Sequence, residues 1–273
     1  MKRLIYLALI LSIFNSYQVR SQDSSENWDT YIASYEDGIP GTTTLRMDLI
    51  NVAPIENLKY VLVTGITYET NREDGFPEEA SYSFLHKFGD EILELLKKET
   101  ETILVGSFMH NKERLEYFYI KEPKDIKEKI ENYFQTNFPD KKFYLNIKED
   151  VKWEYYKNFL YPNEEILNFM ADQSVIKNLL RAGDDLTKKR RVDHWLYFDS
   201  EADRDKCKEK LLSNKFKVES VNFNKEVSPS YELQIWRIDF VDLNSFYPLR
   251  TELTKIAEEF NGEYDGWETS IVK

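Results

Sequence analysis

The sequence predicts an α+β protein of two tandem ferredoxin-like (βαββαβ) antiparallel-sheet sandwiches, the first preceded by a β-hairpin. Three observations predict it. The order strand, helix, strand, strand, helix, strand occurs over residues 60–150 and again over residues 191–272. Each helix in that order but one, residues 200–214, shows its apolar residues on a single stripe, so each half is expected to bury only one side of its sheet beneath paired helices. With 273 residues, 41% hydrophobic and 15% aromatic, the chain can build two cores of ordinary size, and nine glycines and eight prolines are too few for a disordered or fibrous chain.

The elements follow in order. NWDTYIASYEDGIPGTTTLRMDLI reads as a hairpin with Trp28, Tyr31 and Tyr35 on one arm, turning at Asp37-Gly38 and Pro40-Gly41. YVLVTGITY (60–68) is a β-rich run, and residues 81–99 carry Phe84, Phe88, Ile92, Leu95 and Leu96 at helical spacing. TILVGSF (102–108) and RLEYFYI (114–120) are strands joined by a polar turn from Met109 to Glu113. Residues 123–138 form a helix with Ile126, Ile130, Tyr133 and Phe134 on one side, and Phe143, Leu145 and Ile147 alternate in the strand 142–150. An aromatic connector follows, in which Pro162-Asn163 starts a helix from Glu164 to Arg181 closed by Gly183. RVDHWLYF (191–198) is a strand, Ser200 with Asp203 opens a helix to residue 214, and residues 216–223 and 231–241 are strands with a turn at Ser228-Pro229-Ser230. The last helix, 245–260, has Pro248 in its first turn and Gly262 as its C-cap, and EYDGWETSIV ends the chain as a strand. The domain boundary falls near Pro162, giving units at 22–162 and 163–273.

Residues 1–21 read as a signal peptide, with Lys2-Arg3, an apolar run from Leu4 to Phe14, and Val19 and Ser21 spaced for cleavage after Ser21. The run is about half of the ~20 residues a membrane span needs, so the expectation is an exported protein, periplasmic or extracellular, with no membrane span in the mature chain. Loss of three cations takes the net charge from −12 to −15, which repels nucleic acid and anionic lipid. The basic run Lys188-Lys189-Arg190-Arg191 is short enough to be a solvated turn. Cys207 is alone, so no internal disulfide can form.

Residues 165–273 resemble the RraB family, regulators of ribonuclease E activity. The residues that carry the resemblance are the helix ending Gly183-Asp184, Asp193-His194 in a strand, the Ser200-led helix and the terminal Tyr264-Asp265-Gly266-Trp267. Residues 26–160 are similar to a domain of unknown function, family six-nine-five, through Trp28, DGIPG, YVLVTGITYE, EDGFPEEA, LVGSF and EYFYI. The first resemblance implies inhibition by protein–protein contact without catalysis, and the second implies no activity. Ribonuclease E is cytoplasmic and this chain carries an export signal, so the mode carries over and the target does not.

In RVDHWLYF, Val192, His194, Leu196 and Phe198 face one way and Asp193, Trp195 and Tyr197 the other. The apolar set belongs under the helices and takes His194 into the core. By strict alternation Asp265 and Trp267 share a face of the last strand, and the first and fourth strands are neighbours. The expected interaction face is therefore Asp193, Trp195, Tyr197, Asp265 and Trp267, with a protein as the partner of an otherwise unknown identity. The competing expectation is that the connector helix 164–181 or the other domain covers this patch. Gly266 marks a bulge or a close backbone approach in the terminal strand. No histidine spacing suits zinc, no nucleophile elbow or phosphate loop is present, and NREDGFPEE (71–79) lacks the ligand register of a calcium loop. No catalytic residue, metal or cofactor is therefore expected. Two alternatives remain open: an exported hydrolase whose carboxylate pair is invisible in sequence, or a cytoplasmic ribonuclease regulator without a signal peptide.

Overall fold

The computed structural model describes residues 26–273, and the expected signal peptide at residues 1–21 lies outside the described residues. The chain divides into two units, the first ending at Glu164 and the second running Glu165–Lys273.

In the first unit a hairpin, β1 (Trp28–Ser34) and β2 (Pro40–Arg46), precedes β3 (Tyr60–Thr67), α1 (Glu79–Glu99), β4 (Thr102–His110), β5 (Glu113–Ile120), α2 (Ile126–Asn137) and β6 (Phe143–Glu149). The antiparallel sheet has the order β1-β2-β4-β5-β3-β6, which is the ferredoxin-like arrangement with the hairpin added beside β4. Leu85, Phe88, Ile92 and Leu96 of α1 and Ile126, Ile130 and Phe134 of α2 cover one sheet face, packing on Leu62, Ile66, Phe118 and Ile120. The β4–β5 turn is tighter than the sequence suggests. Asn111 and Lys112 alone make it, with φ of 44° and 66°, the left-handed pair that matches strand twist, so the ladder runs out to His110 and Glu113.

The second face of this sheet is covered over its middle strands, where Val61, Val63, Tyr117 and Tyr119 are buried, against the expectation that only one side is buried, while Tyr144 at the β6 edge stays exposed. The connector lies across it. Trp153 is fully buried and stacks on Tyr119 with ring centroids 4.0 Å apart and planes 11° from parallel. Its indole N–H donates to the Leu58 carbonyl at 2.8 Å. A π-type turn at Tyr155–Leu160 brings the Tyr156 hydroxyl to the Arg46 carbonyl at 2.6 Å, and the Leu160 carbonyl accepts from Tyr31 at 2.8 Å. The aromatic residues of the connector and the hairpin thus serve one purpose: they cover the middle of the sheet face that two helices cannot reach.

The second unit comprises α3 (Glu164–Arg181), β7 (Arg190–Phe198), α4 (Glu201–Ser213), β8 (Lys217–Phe223), β9 (Tyr231–Asp239), α5 (Leu243–Glu259) and β10 (Gly262–Thr269). Its antiparallel sheet has the ferredoxin-like order β10-β7-β9-β8. Val192, Leu196, Phe198, Leu233 and Ile235 of the sheet pack under Cys207 and Leu211 of α4 and Phe246 and Leu253 of α5. Burial pushes the Cys207 thiol up to about 12, so it packs as a small apolar residue. No helix among the described residues is long and apolar enough to cross a membrane.

The caps explain three boundaries. Gly183, with φ of 79°, closes α3, its N–H donating to the Leu180 carbonyl at 3.0 Å. α5 starts earlier than its apolar stripe suggests because Asp242 accepts from the Asn244 and Ser245 N–H groups at 3.1 Å each, which moves Pro248 beyond the first turn. Gly262 is not the C-cap of α5. Asn261 takes the left-handed conformation there, with φ of 54°, and Gly262 opens β10 where a Cβ would lie 2.2 Å from the Phe198 ring.

Candidate functional site: the uncovered sheet face

The antiparallel register decides which side chains share a face. β7 alternates as its sequence suggests, burying Val192, His194, Leu196 and Phe198 and leaving Asp193, Trp195 and Tyr197 half-buried on the side away from the helices. β9 places Trp236 opposite Asp193, Gln234 opposite Trp195 and Glu232 opposite Tyr197. β10 places Glu268 opposite Asp193, Gly266 opposite Trp195 and Glu263 opposite Tyr197.

Trp267 does not join this face. A β-bulge lies between Tyr264 and Gly266, so Asp265 is an extra residue and the phase of the strand inverts after it. Trp267 pairs with His194 and points to the helix side, its ring centroid 4.1 Å from that of Phe246. Of the five residues expected to form the face, Asp193, Trp195 and Tyr197 are together, Asp265 is exposed on the bulge beside them, and Trp267 is on the opposite side.

On that opposite side the motif residues hold one another. The Trp267 Nε1–H donates to Asp172 Oδ1 of α3 at 2.7 Å. The same carboxylate accepts from Arg250 Nε at 2.5 Å and Nη2 at 2.9 Å. The Arg250 guanidinium sits 5.0 Å from the Tyr264 ring, and the Tyr264 hydroxyl shares a 2.9 Å hydrogen bond with His194 Nδ1. Burial, aided by Arg237, pushes His194 down to about 3, so the ring is neutral at physiological pH. The ring is fully buried, and its Nε2 meets no hydrogen-bond partner among the described residues. Asp184, in the Gly-Asp end of α3, pairs with the buried Arg190 and accepts from the Val272 N–H at 2.8 Å, which fixes the end of the chain. Arg190 is therefore structural, and the basic run is not a free patch.

The face away from the unit's own helices has its own chemistry. Arg191 donates to Asp193 at 2.8 and 2.6 Å and to Glu219 at 2.7 Å, and its guanidinium lies 4.6 Å from the Trp236 ring. The Lys217 ammonium lies 4.6 Å from the same ring. Burial first, then the Glu232 and Asp265 carboxylates, hold the Tyr197 hydroxyl above its ordinary value, and that hydroxyl donates to Glu232 Oε2 at 3.4 Å. Trp236 was legible from alternation with the buried Leu233 and Ile235, whereas Asp172 and Arg250 carry no sequence signal beyond lying on helices. Among the described residues no three His, Cys, Asp or Glu side chains gather as a metal site requires.

Residues 26–161 match the family of unknown function DUF695, and residues 169–269 match the family described as regulator of ribonuclease activity B, RraB. No curated protein matches the chain. Among solved structures, one provisionally described as a glycine cleavage system transcriptional repressor aligns at 10% identity and a TM-score of 0.25, covering 78% of this chain and 98% of that one. An unknown protein from Galdieria sulphuraria aligns at 10% identity and a TM-score of 0.20, covering 78% and 99%. Likenesses this weak bear on neither fold nor function.

Proposed function

Because its C-terminal unit is of the RraB family, a family named for regulation, we propose that this protein acts by binding another protein and performs no catalysis. The docking surface is the uncovered sheet face around Trp195, Tyr197 and Trp236. One observation carries the reading: the connector of the first unit covers the middle strands of its sheet on the side away from the helices, whereas the second unit keeps its three helices on one side and presents aromatic rings on the other. A half-buried aromatic face without a cover of its own is what a partner's side chains can complete.

We infer export from the leader-like residues 1–21, and the target is then a protein of the envelope or the exterior and not the cytoplasmic ribonuclease. The net charge of the chain opposes nucleic acid as the partner. A pull-down from periplasmic and secreted fractions tests the reading with wild type, Trp195→Ala and Trp267→Phe. Wild type and Trp267→Phe recover the same partner, and Trp195→Ala recovers about tenfold less or worse. Equal recovery by Trp195→Ala would remove the face from the function.

A further inference from the structure

We propose that the uncovered face receives a cationic segment of its partner, with an arginine or lysine side chain seated over Trp195 beside Gly266. The proposal rests on the docking reading above and adds the chemistry of the occupant. The two tryptophans of this face are in different states. Trp236 already holds two cations of its own chain, Arg191 and Lys217, each 4.6 Å from its ring. Trp195 lies on the neighbouring strand among the carboxylates Glu232, Glu263, Asp265 and Glu268. The ion pairs of this face, Arg191 with Asp193 and Arg191 with Glu219, leave those four carboxylates without a cation among the described residues.

Gly266 supplies a separate argument. It pairs with Trp195, its φ is not left-handed, and a Cβ built on it would meet nothing within 4 Å. Neither backbone conformation nor space calls for glycine there, and glycine weakens a strand. Its effect is that no side chain of β10 stands opposite Trp195. Gly262, four residues earlier, shows the contrast: there a side chain would collide with Phe198. A half-buried ring with no side chain opposite it on β10, near four carboxylates that meet no cation among the described residues (Glu232 accepts only from the neutral Asn222 and Tyr197), favours a guanidinium or ammonium group over a neutral or acidic one. The same charges repel phosphate groups, so the cation comes from a polypeptide.

The test titrates the full mature chain with three synthetic peptides of equal length, alternating glycine with arginine, glutamine or glutamate. The arginine peptide binds saturably and more weakly as salt rises, and the glutamate peptide does not bind. Gly266→Val and Asp265→Lys, both at positions with room at the surface, each weaken the arginine peptide by about tenfold with unchanged thermal unfolding. Absence of saturable arginine-peptide binding, equal binding of the glutamine peptide, or indifference to both substitutions would overturn the proposal. If the partner pull-down still depends on Trp195 in that event, the docking reading stands and only the cationic occupant is lost. If the pull-down does not depend on Trp195, both fall.

Discussion

Replacing Asp172 by alanine lowers the stability of the C-terminal unit by about 3–5 kcal/mol, because it strands a buried charge. Asp172 is 2% exposed and is held by three donors, two from Arg250 and one from Trp267. Without it the Arg250 guanidinium stays buried with no counter-ion, and its Nη1 already has no partner. The pair itself is not the source of the stability, since bringing both ions out of water offsets most of their attraction. The comparison that separates these statements is a set of three variants followed by urea unfolding. Trp267→Phe removes one neutral donor and costs about 1–3 kcal/mol. Asp172→Leu combined with Arg250→Met removes both charges and costs less than Asp172→Ala alone. If the double variant is the least stable of the three, the ion pair contributes more than its desolvation cost and this account of the network is wrong.

Trp153→Ala has an effect of similar size in the first unit, about 3–5 kcal/mol, because it empties a fully buried site. The ring stacks on Tyr119, and its N–H satisfies the Leu58 carbonyl, so Trp153→Phe keeps much of the area and loses the hydrogen bond. The phenylalanine variant is expected to fall between wild type and alanine. Urea unfolding monitored by circular dichroism reads the loss directly. A cost below about 1 kcal/mol for Trp153→Ala would mean that the connector does not cover the sheet. That result would also reopen the second face of this unit as a place where partners could dock.

The two sandwiches were legible because their periodicities are local. Phe88, Ile92 and Leu96 recur at helical spacing, Val192, Leu196 and Phe198 at strand spacing, and both sets are buried as that spacing requires. The helix Glu164–Arg181 was readable from Pro162 before it and Gly183 after it. The site was legible only as far as the bulge. Strict alternation joins Asp265 to Trp267, but one inserted residue reverses the phase, so half of the expected aromatic pair turned to the helix side. Gly266 signalled an irregularity without saying which neighbour would be displaced. The covered second face of the first unit was not legible, because aromatic residues in a connector show no period that tells which surface they cover. The pairing of Asp172 with Arg250 was equally hidden, since it joins helices 78 residues apart through tertiary contact alone.

The central claim is that the C-terminal unit presents the Trp195 side of its sheet to partners and keeps the Trp267 side for its own structure. Hydroxyl-radical footprinting of the protein alone and in the complex recovered by pull-down measures this residue by residue. Oxidation of Trp195 and Tyr197 should fall on binding, while Trp267 and Tyr264 stay unchanged. Protection at Trp267 or along α3 and α5, with Trp195 as reactive as in the free protein, would contradict the account.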